Sequence, residues 1–269
     1  MPGSGPGQLV DTHTLLCERC GYIIEGLSPA SPCPECGEPI EASLPHHRTG
    51  TPWQRRGTLP AMLITALAAL GHPKRTLDTL RVGPPRIGLL LFLAAAPIAW
   101  LLASLLLLIF ERETPLPGGG ATAWSPGSVM GAMAITVVLA LVLTPAVMLV
   151  LRTLTWIEGR GLVLFGSQNG FRMHPELAHS IVRHGAVAWL VCGVGAALVL
   201  PWAWSMQSDW QLTFGRAAAW KLWLAGAGVL LAIVGFLGFE CFAWLGLRRC
   251  RFANRPPREA SQQSPAAES

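Results

Sequence analysis

The chain has 269 residues, of which 51% are hydrophobic and only 13% charged, with 11 Trp against 1 Tyr and a formal net charge of +5. Soluble domains carry about 25% charged residues, so this composition excludes an ordinary soluble domain and points to an integral membrane protein with a small polar module. The basic excess is read below as a topology signal, and nucleic acid is not expected as a partner.

Residues 1–14 are rich in Gly and Pro and contain Asp11 and His13. They lack the apolar run of a signal peptide. A disordered lead that stays on the side of synthesis is the expectation.

Residues 15–42 hold four cysteines in two pairs, Cys17-x2-Cys20 and Cys33-x2-Cys36, with twelve residues between the pairs. A Cys-x2-Cys-Gly turn is a knuckle that aims two thiolates at one ion. Gly21 and Gly37 allow the positive φ such a turn demands, and Pro34 presets φ inside the second. Two knuckles complete a tetrahedral sulfur site suited to zinc or to a single iron. So short a module has too small a core to fold alone, so the metal must supply most of its folding energy. Two disulfides are the alternative, disfavoured in a segment expected to face reducing cytosol. His46 and His47 follow in the linker, but four thiolates already saturate a site.

The linker, 43–86, begins with a Pro-, His- and Arg-rich stretch, 43–58, without periodicity. Then comes "LPAMLITALAALG", Leu59–Gly71, bracketed by Arg55, Arg56, Lys74 and Arg75. Thirteen residues are too few to span, so an in-plane helix is expected; a short tilted span is the alternative. "HPKRTLDTLRVG" reads as an amphipathic helix on the membrane surface, with Leu77 and Leu80 on one face.

Four apolar stretches, 87–110, 128–151, 185–204 and 222–247, are each long enough to cross a hydrocarbon core. Together, 87–247, they form the expected transmembrane domain. Pro97 and Pro145 interrupt the first two. The cytoplasmic loop 152–184 contains "GLVLFGSQNGFRM", whose Asn-Gly signals a β-hairpin. It ends in "HPELAHSIVRHG", which aligns with "HPKRTLDTLRVG" at an offset of 102, pairing His72 with His174, Pro73 with Pro175, Arg81 with Arg183 and Gly83 with Gly185. Surface helix, span, loop and span would then occur twice, as in parallel repeats; chance is the alternative. The tail, 248–269, is basic, then polar, and is expected to be disordered.

Lys and Arg divide 17 to 3 in favour of an arrangement with both termini in the cytoplasm. Basic cytoplasmic flanks also favour anionic lipid. Trp202, Trp204, Trp220 and Trp223 belong at the outer interface, and Trp156, Trp189 and Trp244 near the inner one.

Other candidates carry weaker signals. Glu240 is the carboxylate inside a span; an interfacial ion pair with Arg152, Arg183 or Arg248 is expected, and a proton or substrate relay is the alternative. His174, His179 and His184 are not at i, i+4 spacing, so solvated surface is expected. Cys192 and Cys241 read as small apolar residues, and Cys250 as inert or acylated. Ala225, Gly228, Ala232 and Gly235 form a small-residue stripe for packing within the bundle. No catalytic constellation is present, so an enzyme is not expected.

The cysteine string resembles the rubredoxin-like domain of rubrerythrins at Cys17, Cys20, Gly21, Tyr22, Gly26, Cys33, Pro34 and Cys36. It is also similar to the N-terminal zinc ribbon of uncharacterised multi-span proteins from planctomycete-group bacteria, where a Cys-Gly-Tyr knuckle, a Gly-Leu pair (Gly26–Leu27) and a Cys-Pro-x-Cys-Gly knuckle precede an Arg-rich linker and hydrophobic helices. That resemblance extends to "WQRRG" and "WIEGRG". It implies Zn2+ in a structural role, whereas the first implies iron and a redox partner domain. No pair of Glu-x-x-His helices exists to build a di-iron site, so zinc is favoured. The cytoplasmic lead and helical bundle have a general likeness to Yip-type membrane proteins.

The expected architecture is mainly α: a four-helix transmembrane bundle with a small N-terminal metal-bound β module, the zinc ribbon, in an inner membrane. The metal ligands are Cys17, Cys20, Cys33 and Cys36. The expected partners are the lipid bilayer, a cytoplasmic protein bound through the ribbon, and further copies of the chain. An interaction or scaffold protein is the first reading; a small transporter or channel-like bundle and a membrane-anchored redox protein are the alternatives. In intact cells an impermeant thiol reagent should leave Cys17 unmodified until lysis, and labelling without lysis would overturn the topology.

Overall fold

A computed structural model describes residues 14–82, 87–113, 126–208 and 219–254. The expected disordered lead (1–13), most of both outer loops and the tail from 255 lie outside the described residues. Helices dominate. Two 3-10 turns, Ile40–Ser43 and Pro45–His47, precede α1 (Pro52–Arg56), α2 (Leu59–Gly71), α3 (Pro73–Thr79), α4 (Gly88–Glu113), α5 (Pro126–Gln168), α6 (Pro175–Gly185), α7 (Ala188–Ser208) and α8 (Ala219–Arg249). No sheet occurs among the described residues. In place of the expected β module, each knuckle is closed by one isolated antiparallel bridge, Leu16 with Ile23 and Pro32 with Pro39. Four helical segments are long and apolar enough to cross a membrane: Gly88–Leu107, Met130–Gln168, Pro175–Leu200 and Trp220–Arg249.

The chain divides into two compact units. One gathers the residues up to Pro85 with Gly159–Ile181 and the C-terminal part from Trp244; the other gathers Arg86–Glu158 with Val182–Ala243.

The second unit is built on close approach of backbones. Lipid is as apolar as a Leu side chain, so helices in a membrane gain little by burying large residues and pack through small ones. Ala94, Ala95, Ala99 and Ala103 of α4 are buried. A Cβ on Gly193 of α7 would sit 2.9 Å from the Ala94 carbonyl oxygen, and one on Gly228 of α8 would sit 2.5 Å from that of Gly195. Gly235 meets Cys192 Sγ and Ala188 in the same way, so the stripe of small residues in α8 faces α7. Many large residues point outward, among them Leu141, Leu149, Trp223 and Leu230. Hydroxyls in the apolar helices are satisfied by their own backbone, as with Ser104 on Trp100 O and Thr144 on Ala140 O.

Several expectations are corrected here. Pro97 and Pro145 do not break their helices, since α4 and α5 run through them. Trp189, at the start of α7, faces the protein and not lipid: it is buried, its ring lies 4.8 Å from that of Phe239, and its Nε1 donates to Thr155 Oγ1. Trp156, Trp220, Trp223 and Trp244 are exposed, as lipid-facing indoles would be. The Arg248 guanidinium lies over the Trp244 ring.

The β-hairpin in loop 152–184 does not form. At 43 residues α5 continues to Gln168, because adding a turn to an existing helix costs no nucleation. Asn169-Gly170 is a helix stop. Gly170 has φ +70°, Phe171 N–H donates to Gly166 O and Gly170 N–H to Ser167 O, which is a Schellman cap.

The first unit orders the linker. Thr51 and Gln54 make a reciprocal capping box for α1, and the Gln54 side chain exchanges two hydrogen bonds with the backbone of Arg81. Leu77 and Leu80 are fully buried within the protein, so their face of α3 is not available to lipid. α2 is inside-out by the standard of a soluble protein: Ala61, Ala66 and Ala69 are buried, whereas Leu63, Ile64, Leu67 and Leu70 are exposed. Both aligned strings start helices at their matched prolines, Pro73 and Pro175.

A bulky residue at the α7–α8 crossing should be costly. Gly228→Leu should destabilise the detergent-solubilised protein by about 1–3 kcal/mol, read as a lower midpoint in thermal or denaturant unfolding. Gly226→Leu, on the same helix with nothing within 4 Å of a Cβ, should leave the midpoint unchanged.

Candidate metal centre

The two knuckles are near-copies sixteen residues apart. Cys17 N–H donates to Tyr22 O and Gly21 N–H to Cys17 O; in the second, Cys33 N–H donates to Glu38 O and Gly37 N–H to Cys33 O. Gly21 and Gly37 have φ of +83° and +73°, so both turns use the left-handed region that favours glycine. Gly21 meets a second restriction, because a Cβ there would lie 2.8 Å from the Phe252 ring.

The turns bring the four Sγ atoms within 4.8 Å of one another. Cys17 and Cys36 are 3.5 Å apart and Cys20 and Cys33 3.7 Å, beyond disulfide bonding distance. A tetrahedron with metal–sulfur bonds of about 2.3 Å has edges of about 3.8 Å, so the cluster fits an ion at its centre after small shifts. Cys17 and Cys33 are buried and Cys20 and Cys36 partly so. The core around them is minimal, Ile24 and Ile40 with Leu15 at its edge.

Without a cation this cluster resists full ionisation. Burial pushes the Cys33 thiol up, but the Cys36 and Glu35 N–H groups donate to its sulfur and outweigh that effect, bringing it down to about 7. Burial pushes the Cys20 thiol up strongly, against one N–H from Tyr22. At Cys36 the Glu38 N–H pulls down, but burial and the Cys17 thiol leave it raised. A bound cation would favour thiolates at all four positions.

Beneath the cysteines lies a polar network that sequence reasoning missed. Glu18, between the two cysteines of the first knuckle, accepts Arg48 Nε at 3.0 and 3.1 Å and Arg48 Nη2 at 2.7 Å. The pair is buried, with 6% of the Arg48 side chain and 15% of the Glu18 side chain exposed. Arg48 Nη1 donates to the carbonyls of Leu77 and Leu80 at the end of α3, two of the acceptors a helix terminus leaves open. Burial works against the Arg48 charge, but the Cys250 sulfur and the Glu18 carboxylate more than offset it. Cys250 is fully buried, and burial pushes its thiol up, so it is unavailable for acylation.

Asn254 completes the network. Its Oδ1 accepts from Leu16 N and from Arg172, and its Nδ2 donates to Leu16 O and Ser43 O. That fills both donors and both lone pairs of the amide. Arg172 also donates to Thr14 O. The expected disorder of the tail is therefore corrected for residues 250–254, where Cys250, Ala253 and Asn254 are buried.

The remaining candidates stand apart from this centre. His174 and His184 are buried, not solvated as expected, and His179 Nδ1 contacts Pro175 O. Cys17, Cys20, Cys33 and Cys36 form the group found among the described residues that could hold a metal ion. Comparison with protein-family models, curated proteins and solved structures gives no match for this chain.

Two variants test the network. Arg48→Met strands the buried Glu18 carboxylate and should cost about 3–5 kcal/mol, read as faster release of metal to a chromogenic chelator. Adding Glu18→Gln to Arg48→Met should recover part of that loss in a double-mutant cycle. Strictly additive effects would show that the pair does not act as a unit.

Proposed function

We propose that this chain is a membrane-anchored interaction protein whose cysteine module holds a structural zinc ion and presents a docking surface to a cytoplasmic protein. The observation that carries the reading is the convergence of four thiols into a closed site. Four thiolates leave no position on a tetrahedral ion for substrate or water, which is the mark of a structural centre. The module is also fastened to the C-terminal segment by Asn254 and Glu18, so zinc would hold a membrane-proximal assembly together.

The same fastening supports the topology. Leu16 and Asn254 share hydrogen bonds, which favours an arrangement with both on one side of the membrane and an even number of spans. Four spans with α2 in the interface satisfy this; α2 as a fifth span would not. With the 17-to-3 distribution of basic residues, that side is the cytoplasm. The Ala- and Gly-lined crossings of α4, α7 and α8 favour an anchor over a conduit.

For docking, the first knuckle offers Tyr22, Ile23 and Leu27, all exposed. Purified protein should be colourless and contain one zinc per chain, with Cys33→Ser losing it; visible thiolate-to-iron absorption would replace zinc with iron. Affinity capture with Tyr22→Ser/Ile23→Ser, after zinc retention is verified, should lose partners that the wild type captures. Identical partner sets would show that the module is not the docking surface.

A further inference from the structure

The basic residues at the end of α8 are not spread evenly over the surface. Lys74 from the start of α3 and Arg248, Arg249 and Arg251 from the end of α8 line one cleft of about 550 Å³. Its other walls are Phe171, Trp244 and Leu245, and among the described residues its lining holds no carboxylate; Arg248, Arg249 and Arg251 also border an adjoining hollow lined by Glu18, Glu38 and Asp78. Arg249 is partly neutralised by Asp78 at 3.3 Å, with both side chains about half exposed. Arg248 lies 4.4 Å over the Trp244 ring, and Arg251 stands between Phe171 and Phe252. The cation–π contact orients the Arg248 guanidinium while leaving its N–H donors open to an anion, whereas Arg251 gives Nη2 to the Arg19 carbonyl.

We propose that this cleft binds the phosphodiester headgroup of an anionic phospholipid. The inference rests on the membrane reading above. Two observations select a lipid over a free anion. Trp244 and Leu245 belong to an apolar helix that reaches Arg249, so the cations sit at its end, where headgroups lie. Lys74 follows α2, whose Leu63, Ile64, Leu67 and Leu70 face outward. Apolar surface therefore adjoins the cations from two elements, as the boundary between acyl chain and headgroup requires. Guanidinium groups suit the phosphate because each can give it two parallel N–H donors, and basic pockets beside transmembrane helices bind anionic headgroups by the same chemistry.

The full-length zinc-loaded protein in a neutral detergent is titrated with dioctanoyl-phosphatidylglycerol, dioctanoyl-phosphatidylcholine and inorganic phosphate, with lipid adducts counted by native mass spectrometry. The phosphatidylglycerol should bind one per chain, about tenfold or more tighter than the phosphatidylcholine. Lys74→Gln/Arg248→Gln should weaken it about tenfold or more and remove the preference, while Arg248→Lys alone retains most of it. Arg55→Gln/Arg56→Gln, with the same change in net charge, should stay within about twofold of the wild type. Equal binding of the two lipids, or equal loss in both double variants, overturns the proposal in favour of diffuse surface charge. Displacement of the lipid by inorganic phosphate at equal concentration overturns it in favour of a free-anion site. Zinc content checks the fold of each variant. Retention of the wild type in membranes after alkaline extraction tests the membrane reading separately, so the two can fail independently.

Discussion

The buried pair of Glu18 and Arg48 is the constraint on which the first unit depends. A carboxylate lodged between two prospective metal ligands would be costly without a partner, and Arg48 satisfies it through three hydrogen bonds. The remaining guanidinium donor closes the end of α3 through the Leu77 and Leu80 carbonyls. One side chain from an irregular linker thus ties together a knuckle, a helix terminus and, beside Cys250, the end of α8. Asn254 repeats the principle from the other end of the chain. Buried pairs of this kind are often no more stabilising than apolar packing, but they leave few alternative arrangements. The module therefore has one orientation on its unit, which a freely tethered ribbon would lack.

A second constraint runs through the apolar helices. Burial of large side chains drives folding in water but offers little between helices surrounded by acyl chains. The chain places Ala and Gly at its helix crossings and many of its Leu and Val residues outside, with a glycine meeting a carbonyl where α7 crosses α8. α2 has the same distribution in thirteen residues. Outward leucines and inward alanines are explained if the solvent around that helix is itself apolar.

Much of this was legible in the sequence, for identifiable reasons. Cysteine spacing specifies a knuckle locally, and the four Sγ atoms converge as two Cys-x2-Cys-Gly turns require. Apolar runs located the four helices long and apolar enough to cross a membrane, and Leu59–Gly71 has the bounds read from its composition. The Thr51–Gln54 capping box was also present in the string but lay hidden in a Pro-rich stretch. Asn169-Gly170 was read as the turn of a hairpin because the same αL glycine serves hairpins and helix ends equally well. Trp189 looked interfacial by position along its helix, yet its rotation about that helix turns it toward Phe239 and Thr155.

The sequence by itself determined the cysteine cluster, the apolar segments and the imbalance of basic residues, since each is a property of composition or of spacing over a few residues. Only the tertiary structure decided what those parts are joined to. Glu18 and Arg48 are thirty residues apart, and Leu16 and Asn254 are separated by 238. No local pattern marks Asn254 as the amide that fills four hydrogen bonds, because three of its partners are backbone groups that every residue carries and the fourth is a guanidinium 82 residues away. Long-range pairing of this kind exists only once the chain has closed on itself.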